Sequence, residues 1–493
     1  MPNQHWMTIV GLEVHAELMT HSKMFSACPV VDSVEAAPNT AVDPLSLGMP
    51  GTLPVVNQQA VAYGTMVGLA LGCEIPPMNQ FARKSYFYPD LPKGYQISQY
   101  DRPLAVNGYL DIDVTPATGD SYTKRIRVRR AHLEEDTGKL THLGDGSSLV
   151  DYNRAGVPLL EIVSEPEIRS AEEAEAYARK LRAILQYLGV NHGDMSKGVL
   201  RFEANVSVMH TDDTEFRTRT EIKNLNSIRS MFRAIQVEAE RQIALYEKGE
   251  TVKQATLGWD EHKGRVIIQR YKERADEYRY FPEPDLPILE MSPEYVASVR
   301  ATLPELPDAK RQRFMGSFGL NAYDARVLVM EQVVAAYYEQ VIAAGADPKL
   351  AANWILTNLF ALMNKSGVDR ETVGESNVPA GNLAALIKLV MSGDINTPTA
   401  VKVLGMMWET GDAPGVIVER EGLAQVSDTG ALNAVVAEIV AANPDLVQKY
   451  LAGNDKLLQA LFGQAMKALK GQGNPQTLRE LLLQAIEAQR PTD

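Results

Sequence analysis

Apolar and polar residues alternate between Thr8 and Leu18. Val10, Leu12, Val14, Ala16 and Leu18 take one side, and Glu13, His15 and Glu17 take the other. A period of two predicts a half-buried strand. Leu200–Val208 repeats it: Leu200, Phe202, Ala204, Val206 and Val208 oppose Arg201, Glu203, Asn205 and Ser207. In Arg217–Leu225, Arg217, Arg219, Glu221 and Lys223 share a face. Helical spacing takes over in two places. Ser170, with Glu173 three residues on, is a capping box, and Ala174, Tyr177, Leu181, Leu185 and Leu188 form a stripe stopped by Gly189. A second helix is predicted from Asn226 or Ser227, with the stripe Ile228, Met231, Phe232, Ile235, Ala239, Ile243 and Tyr246, ending near Gly249. Two helices among many strands, without a βαβ rhythm, predict an α+β domain built on an antiparallel sheet.

That domain is expected to end in Tyr278–Pro287, where three prolines hold the backbone extended. From Pro293 onward Ala, Leu, Val and Met recur at helical spacing, and a break at Ala413-Pro414-Gly415 predicts a separate helical tail. The expected domains are therefore 1–293, 294–412 and 413–493, consistent with 493 residues being too many for one core. Composition changes this picture little. With 45% hydrophobic and 23% charged residues the chain reads as globular, and no apolar run approaches the ~20 residues of a membrane span. Met1–Trp6 has no secretory or Arg-rich leader pattern, so a cytoplasmic location is expected. The net charge of −13 argues against bulk nucleic-acid binding but leaves room for a local basic patch. Two cysteines, Cys28 and Cys73, exclude a disulfide framework and read as small apolar residues.

A solvated sheet face explains any one alternating strand. The polar members here, however, are carboxylates beside His, Asn and Arg. Carboxylate oxygens suit a hard cation such as Mg²⁺, and arginine or lysine complements phosphate. Such a face suits phosphoryl transfer, which rests on positioning and charge neutralisation. In Arg125–Lys139, arginines alternate with Ile126 and Val128 before the acids Glu134-Glu135-Asp136 and Gly138. Mutual repulsion of three acids favours a bound cation; an exposed turn is the alternative. Period alone pairs Glu134 with His132 and Glu135 with Leu133, and does not choose a ligand. The chain has no GxxxxGK[ST], GxGxxG helix opening, HExxH or GxSxG motif.

Several long segments resemble the family of B subunits of aspartyl/glutamyl-tRNA(Asn/Gln) amidotransferases. They are Val10–His15, Tyr86–Gln99, His132–Asp136, Asp151–Leu159, Glu161–Pro166, Glu221–Ser227, Tyr278–Pro287 and, in the tail, Lys470–Pro475. The resemblance implies a glutamine-synthetase-like antiparallel cradle followed by an all-helical domain and a small tRNA-binding tail. It implies an ATP- and Mg²⁺-dependent ligase that phosphorylates the side-chain carboxylate of mischarged Glu-tRNA(Gln) or Asp-tRNA(Asn). Ammonia from an amidase, the A subunit, then displaces the phosphate, and a small C subunit wraps both in a heterotrimer. By the same resemblance Glu13, His15 and Glu135 are expected to be catalytic and to hold the metal. Glu203, Glu221, Arg201, Lys223 and Arg279 are expected nucleotide, phosphate or carboxylate contacts. Lys84 and Lys93 are candidates for the ammonia path, and Lys456, Lys467, Lys470 and Arg479 for tRNA contacts. Many relatives place four cysteines where this chain has Ser26, Cys28, Asp43 and Ser46. No structural zinc is expected there, and packing is expected to hold the loop instead. A stand-alone ligase for a small carboxylic acid and a non-catalytic tRNA scaffold are the alternatives. The long helical half argues against the first, and Glu13, His15, Glu135 and Glu203 argue against the second.

Overall fold

The computed structural model describes residues 5–271, 278–424, 429–469 and 475–490. The chain divides into two compact units, Met1–Pro307 and Asp308–Asp493. In the first unit the elements run β1 (Trp6–Glu17), α1 (Gln58–Ala70), β2 (Met78–Asn79), β3 (Phe81–Ser85), β4 (Tyr95–Gln99), β5 (Ala105–Val114), β6 (Tyr122–Glu135), β7 (Lys139–His142), β8 (Ser148–Asp151), β9 (Pro158–Ser164) and α2 (Ala171–Tyr187). They continue with β10 (Leu200–His210), β11 (Thr220–Leu225), α3 (Ile228–Glu247), β12 (Ala255–Asp260), β13 (Arg265–Tyr271), β14 (Phe281–Pro282), β15 (Leu289–Glu290) and α4 (Pro293–Ala301).

Eight strands form one sheet in the order β13-β12-β11-β10-β1-β9-β6-β5. Its pairings are antiparallel except β11 with β12, which run parallel. The sheet is thus mixed rather than purely antiparallel, because α3 carries the chain back across before β12 begins, as a parallel pair requires. The apolar face is the core. Val10, Leu12, Val14, Phe202, Ala204, Val206, Ile126 and Val128 pack there with Tyr177, Leu181 and Leu185 of α2 and Met231 and Ile235 of α3. The other face keeps the polar residues of the same strands.

Local signals set the helix ends. Ser170 Oγ accepts the Glu173 N–H at 3.1 Å, and Gly189 follows α2 at φ 66°. Ser227 Oγ accepts the Ser230 N–H at 2.9 Å at the start of α3. The Glu173 carboxylate, rather than closing back on Ser170, accepts the Arg169 N–H, Tyr122 Oη and Lys124 Nζ, fastening α2 to β6. Helix α4 lies against α1 within the first unit.

In the second unit every regular element among the described residues is helical. Its tail has its own apolar cluster, including Leu432, Val436, Leu461, Leu478 and Leu482. Lys456, Lys467 and Arg479 are exposed there, and Lys470 lies outside the described residues. No helix of the described residues is long and apolar enough to cross a membrane.

Candidate active site on the polar face of the sheet

Strand register assembles the site. β1 lies between β10 and β9, and β6 lies beyond β9. His132, Glu161, His15 and Arg201 stand opposite one another across β6, β9, β1 and β10. In the next row Glu13 faces Glu203. Directly opposed residues of a pleated sheet project to the same side, so these groups converge although they lie far apart in sequence.

Two clusters result, each with ligand atoms within 4.8 Å of one another: His15, Glu134 and Glu161, and Glu13, Glu203 and Glu221. In the first, His15 Nε2 lies 3.3 Å from Glu161, and His132 Nε2 lies 3.7 Å from both Glu134 and Glu161. Ser98 Oγ donates to Glu134 at 3.0 Å. Burial opposes charge on His15, but its hydrogen bond to Glu161 and the surrounding carboxylates outweigh that and lift the imidazolium to about 9. Burial would raise Glu161, yet His132, His15 and Lys84 hold it well below the usual carboxylate range. In the second cluster, burial followed by the charges of Glu161, Glu203 and Glu221 pushes the Glu13 carboxyl up. Asn205 Nδ2 orients Glu13 at 2.8 Å, and Lys223 pairs with Glu203 at 2.7 Å and Glu221 at 3.6 Å.

The donor chemistry fits divalent cations. Carboxylates suit a hard ion, and the imidazole widens the choice toward Mn²⁺. The Nδ1 atoms of His15 and His132 are buried without hydrogen-bond partners, as is Asn205 Oδ1. The repulsion that raises Glu13 is what a cation would relieve.

The expected set of Glu13, His15 and Glu135 is not one cluster. Glu13 and His15 sit in different ones, and Glu135 turns away: it accepts Lys93 Nζ at 2.5 Å and the Ile97 N–H at 2.9 Å. Strand alternation continues through the acids, so Glu134 shares the face of His132 and Glu135 takes the opposite one. The acids are not an exposed turn, since Glu134, Glu135 and Asp136 are at most 5% exposed. Sequence reading missed Glu134 and Glu161. Period placed Glu134 beside His132, and Glu161 is a lone carboxylate in the apolar run Leu159–Val163, an unusual buried position for a glutamate.

The other expected residues divide. Glu203, Glu221 and Lys223 belong to the second cluster. Arg201 is held by Asp136 at 2.8 Å and Glu17 at 3.4 Å, so Glu17 is tied to this network. Lys84 points its ammonium toward the rings of Tyr278 (5.1 Å) and Tyr86 (5.8 Å). Burial opposes its charge, but Glu134, Tyr280 and Glu161 raise its pKa. Arg279 is exposed at φ 45°, and no ion pair joins it to the clusters among the described residues. Arg217 precedes β11, pairs with Asp213 and lies over Trp6 and Tyr246, so it leaves the face predicted for it. In the loop that carries Ser26, Cys28, Asp43 and Ser46, hydrogen bonds add to packing. Asp43 accepts the Ser46 N–H at 2.7 Å, and the buried Lys23 ammonium reaches Ser46 Oγ and the Tyr152 carbonyl, each at 3.3 Å.

Residues 8–297 match the GatB/GatE catalytic domain, and residues 336–486 match the GatB domain. The chain is 48% identical over 481 residues to the B subunit of the aspartyl/glutamyl-tRNA(Asn/Gln) amidotransferase of Herpetosiphon aurantiacus, covering 97% of this chain and 98% of that one. The protein of the same name from Moorella thermoacetica is 49% identical, with 97% and 99% covered. That from Geobacter sulfurreducens is 47% identical, with 98% and 100% covered. Both clusters lie within the first matched domain, and similarity of this extent makes the chain a member of the family of aspartyl/glutamyl-tRNA(Asn/Gln) amidotransferase B subunits.

Proposed function

We propose that this chain amidates glutamate mischarged on tRNA(Gln), aspartate mischarged on tRNA(Asn), or both, working in the cytoplasm with an amidase (the A subunit) and with a small C subunit. The observation that carries the reading is the pair of acidic clusters side by side on one polar sheet face. The chemistry has two stages. A side-chain carboxylate oxygen bonds to the γ-phosphorus of ATP as the bond to the bridging oxygen breaks and ADP leaves. Ammonia then bonds to the acyl carbon, the carbon–oxygen bond to phosphate breaks, and the nitrogen loses a proton. A free carboxylate resists the second step because its leaving group would be oxide.

Glu13, Glu203 and Glu221 would hold one Mg²⁺, and His15, Glu134 and Glu161 a second cation. When bound, these ions supply charge neutralisation at phosphate oxygens. Asn205 and Lys223 orient the glutamates of the first set, and Ser98 and His132 those of the second. Lys84, whose ammonium feels Glu134 and Glu161, and Lys93, paired with Glu135 on the other side of β6, are our candidates for the ammonia path. We read the sheet as a glutamine-synthetase-like cradle, residues 294–412 as a helical domain, and 413–493 as the tail that touches tRNA through groups such as Lys456, Lys467 and Arg479.

The test uses the enzyme assembled with its partner subunits, mischarged tRNA and ATP. Glu13→Gln and Glu134→Gln should abolish ATP-dependent amidation while tRNA binding persists. Wild-type amidation by either variant would refute the reading, and turnover of free glutamate without tRNA would favour a stand-alone ligase.

A further inference from the structure

The arginines of β6 are of two kinds. Arg125 pairs with Asp111 at 2.7 Å, Arg127 with Glu167 at 2.6 Å and Arg129 with Glu165 at 2.8 Å, all with side chains more than half exposed. Arg130 comes next and differs. Its Nε is buried without a hydrogen-bond partner, and no carboxylate pairs with its guanidinium among the described residues. A guanidinium stays charged at any working pH. Arg130 is half-buried, with Nε shut away from water and the rest of its fork directed off the core, and a partly desolvated cation without a protein partner is suited to an incoming anion.

The backbone aims this residue. Val128 opposes Ser164 while Arg130 opposes Val163, so Arg129 is an extra residue in the pairing of β6 with β9. Val128 and Ala131, on either side, are both fully buried. The bulge therefore puts two consecutive arginines off the core and restarts the alternation, so that Arg130, His132 and Glu134 share the polar face. Register then sets Arg130, Val163, Glu13 and Glu203 in one row across four strands. The next row is His132, Glu161 and His15. Arg130 stands two strands from Glu13, about 10 Å between backbones, and in the row next to that of His132, Glu161 and His15. Its neighbour Tyr280 is stacked on Tyr100 at 4.1 Å.

We propose that Arg130 is an anion-binding residue that holds the terminal phosphoryl group of the nucleoside triphosphate through its guanidinium fork. This rests on reading the face as a phosphoryl-transfer site, and adds a cationic contact opposite the carboxylate-bound ions. A planar fork with two parallel N–H donors matches a phosphate edge, whereas a lysine offers only a point charge.

The test compares Arg130→Ala and Arg130→Lys with wild type, each assembled with the partner subunits. Calorimetry would measure binding of ADP and of a non-hydrolysable ATP analogue. Arg130→Ala should weaken the analogue about 10- to 100-fold while ADP changes less than about 2-fold, the scale of one lost charge-assisted contact. Arg130→Lys should fall between, and millimolar guanidinium should restore part of the analogue affinity to Arg130→Ala. Unchanged analogue affinity, or equal losses for ADP and analogue, would overturn the proposal. So would unchanged nucleotide binding with a raised KM for acylated tRNA, which assigns Arg130 to the substrate carboxylate. Loss of assembly in both variants would mean that Arg130 pairs with a carboxylate of another protein in the complex, and would overturn it as well. Glu13→Gln keeps the two levels apart: if it retains amidation, the phosphoryl-transfer reading itself fails, whereas an intact Arg130→Ala beside an inactive Glu13→Gln removes only Arg130.

Discussion

Glu134 and Glu135 are neighbours in sequence with opposite environments, and replacing each by glutamine separates ligand from scaffold. Glu134 faces His15 and Glu161, with Ser98 and His132 positioning it. Glu134→Gln should lower cation affinity by at least the 10- to 100-fold that loss of an outer partner produces, because a charged ligand itself is removed. Glu135 instead binds Lys93 through both oxygens at 2.5 Å and the Ile97 N–H at 2.9 Å. The side chains of this pair are only 8% and 4% exposed, so breaking it strands a buried ammonium. Glu135→Gln should therefore destabilise the first unit by about 3–5 kcal/mol, and pairing Glu135→Leu with Lys93→Met should recover much of that. Mn²⁺ titration followed by paramagnetic resonance reads the first effect, and thermal unfolding of the assembled enzyme reads the second. Glu135→Gln weakening Mn²⁺ binding as much as Glu134→Gln would refute the β6 alternation on which the His15–Glu134–Glu161 cluster rests.

Three further outcomes test the scaffold. Glu238 is fully buried and accepts from Thr220 Oγ1, Gln242 Nε2 and Arg241, so Glu238→Ala should destabilise by about 3–5 kcal/mol in urea unfolding; a loss below about 1 kcal/mol would contradict that network. A β-carbon on Gly108 would lie 2.3 Å from Cys73 Sγ and 2.7 Å from the Leu71 carbonyl, so Gly108→Ala should cost about 1–3 kcal/mol, seen as a lower thermal midpoint. Burial pushes the Cys73 thiol up to about 12 and raises Cys28 as well, but Cys28 is only partly buried; native protein at pH 8 should therefore be alkylated faster at Cys28 than at Cys73, with both labelled in denaturant, as read by mass spectrometry.

Local pattern was enough for the strands and helices that carry the site. The alternation through Thr8–Leu18 and Leu200–Val208, the Ser170 and Ser227 caps and the stops at Gly189 and Gly249 are short-range physics: side-chain direction in a pleat, and backbone donors at a helix start. The same pattern determined that Glu13, His15 and Glu17 share a face, and that Glu203 can meet other polar groups. It failed at Arg217, where an ion pair with Asp213 and two aromatic rings hold the residue before the strand begins.

Tertiary structure alone decided which carboxylates meet. Glu13 joins Glu203 and Glu221, and His15 joins Glu134 and Glu161, because β1 is inserted between β10 and β9, and strand order is a long-range choice that no window of residues encodes. Periodicity left Glu134 and Glu135 undecided. The register of β6 on β9 and the Lys93 ammonium waiting on the other side separated them. The bulge at Arg129 was equally hidden, since it exists only as a mismatch between two strands, and it is what turns Arg130 toward the clusters. Sequence determined the faces of each strand; pairing, through register and strand order, determined which faces share a site.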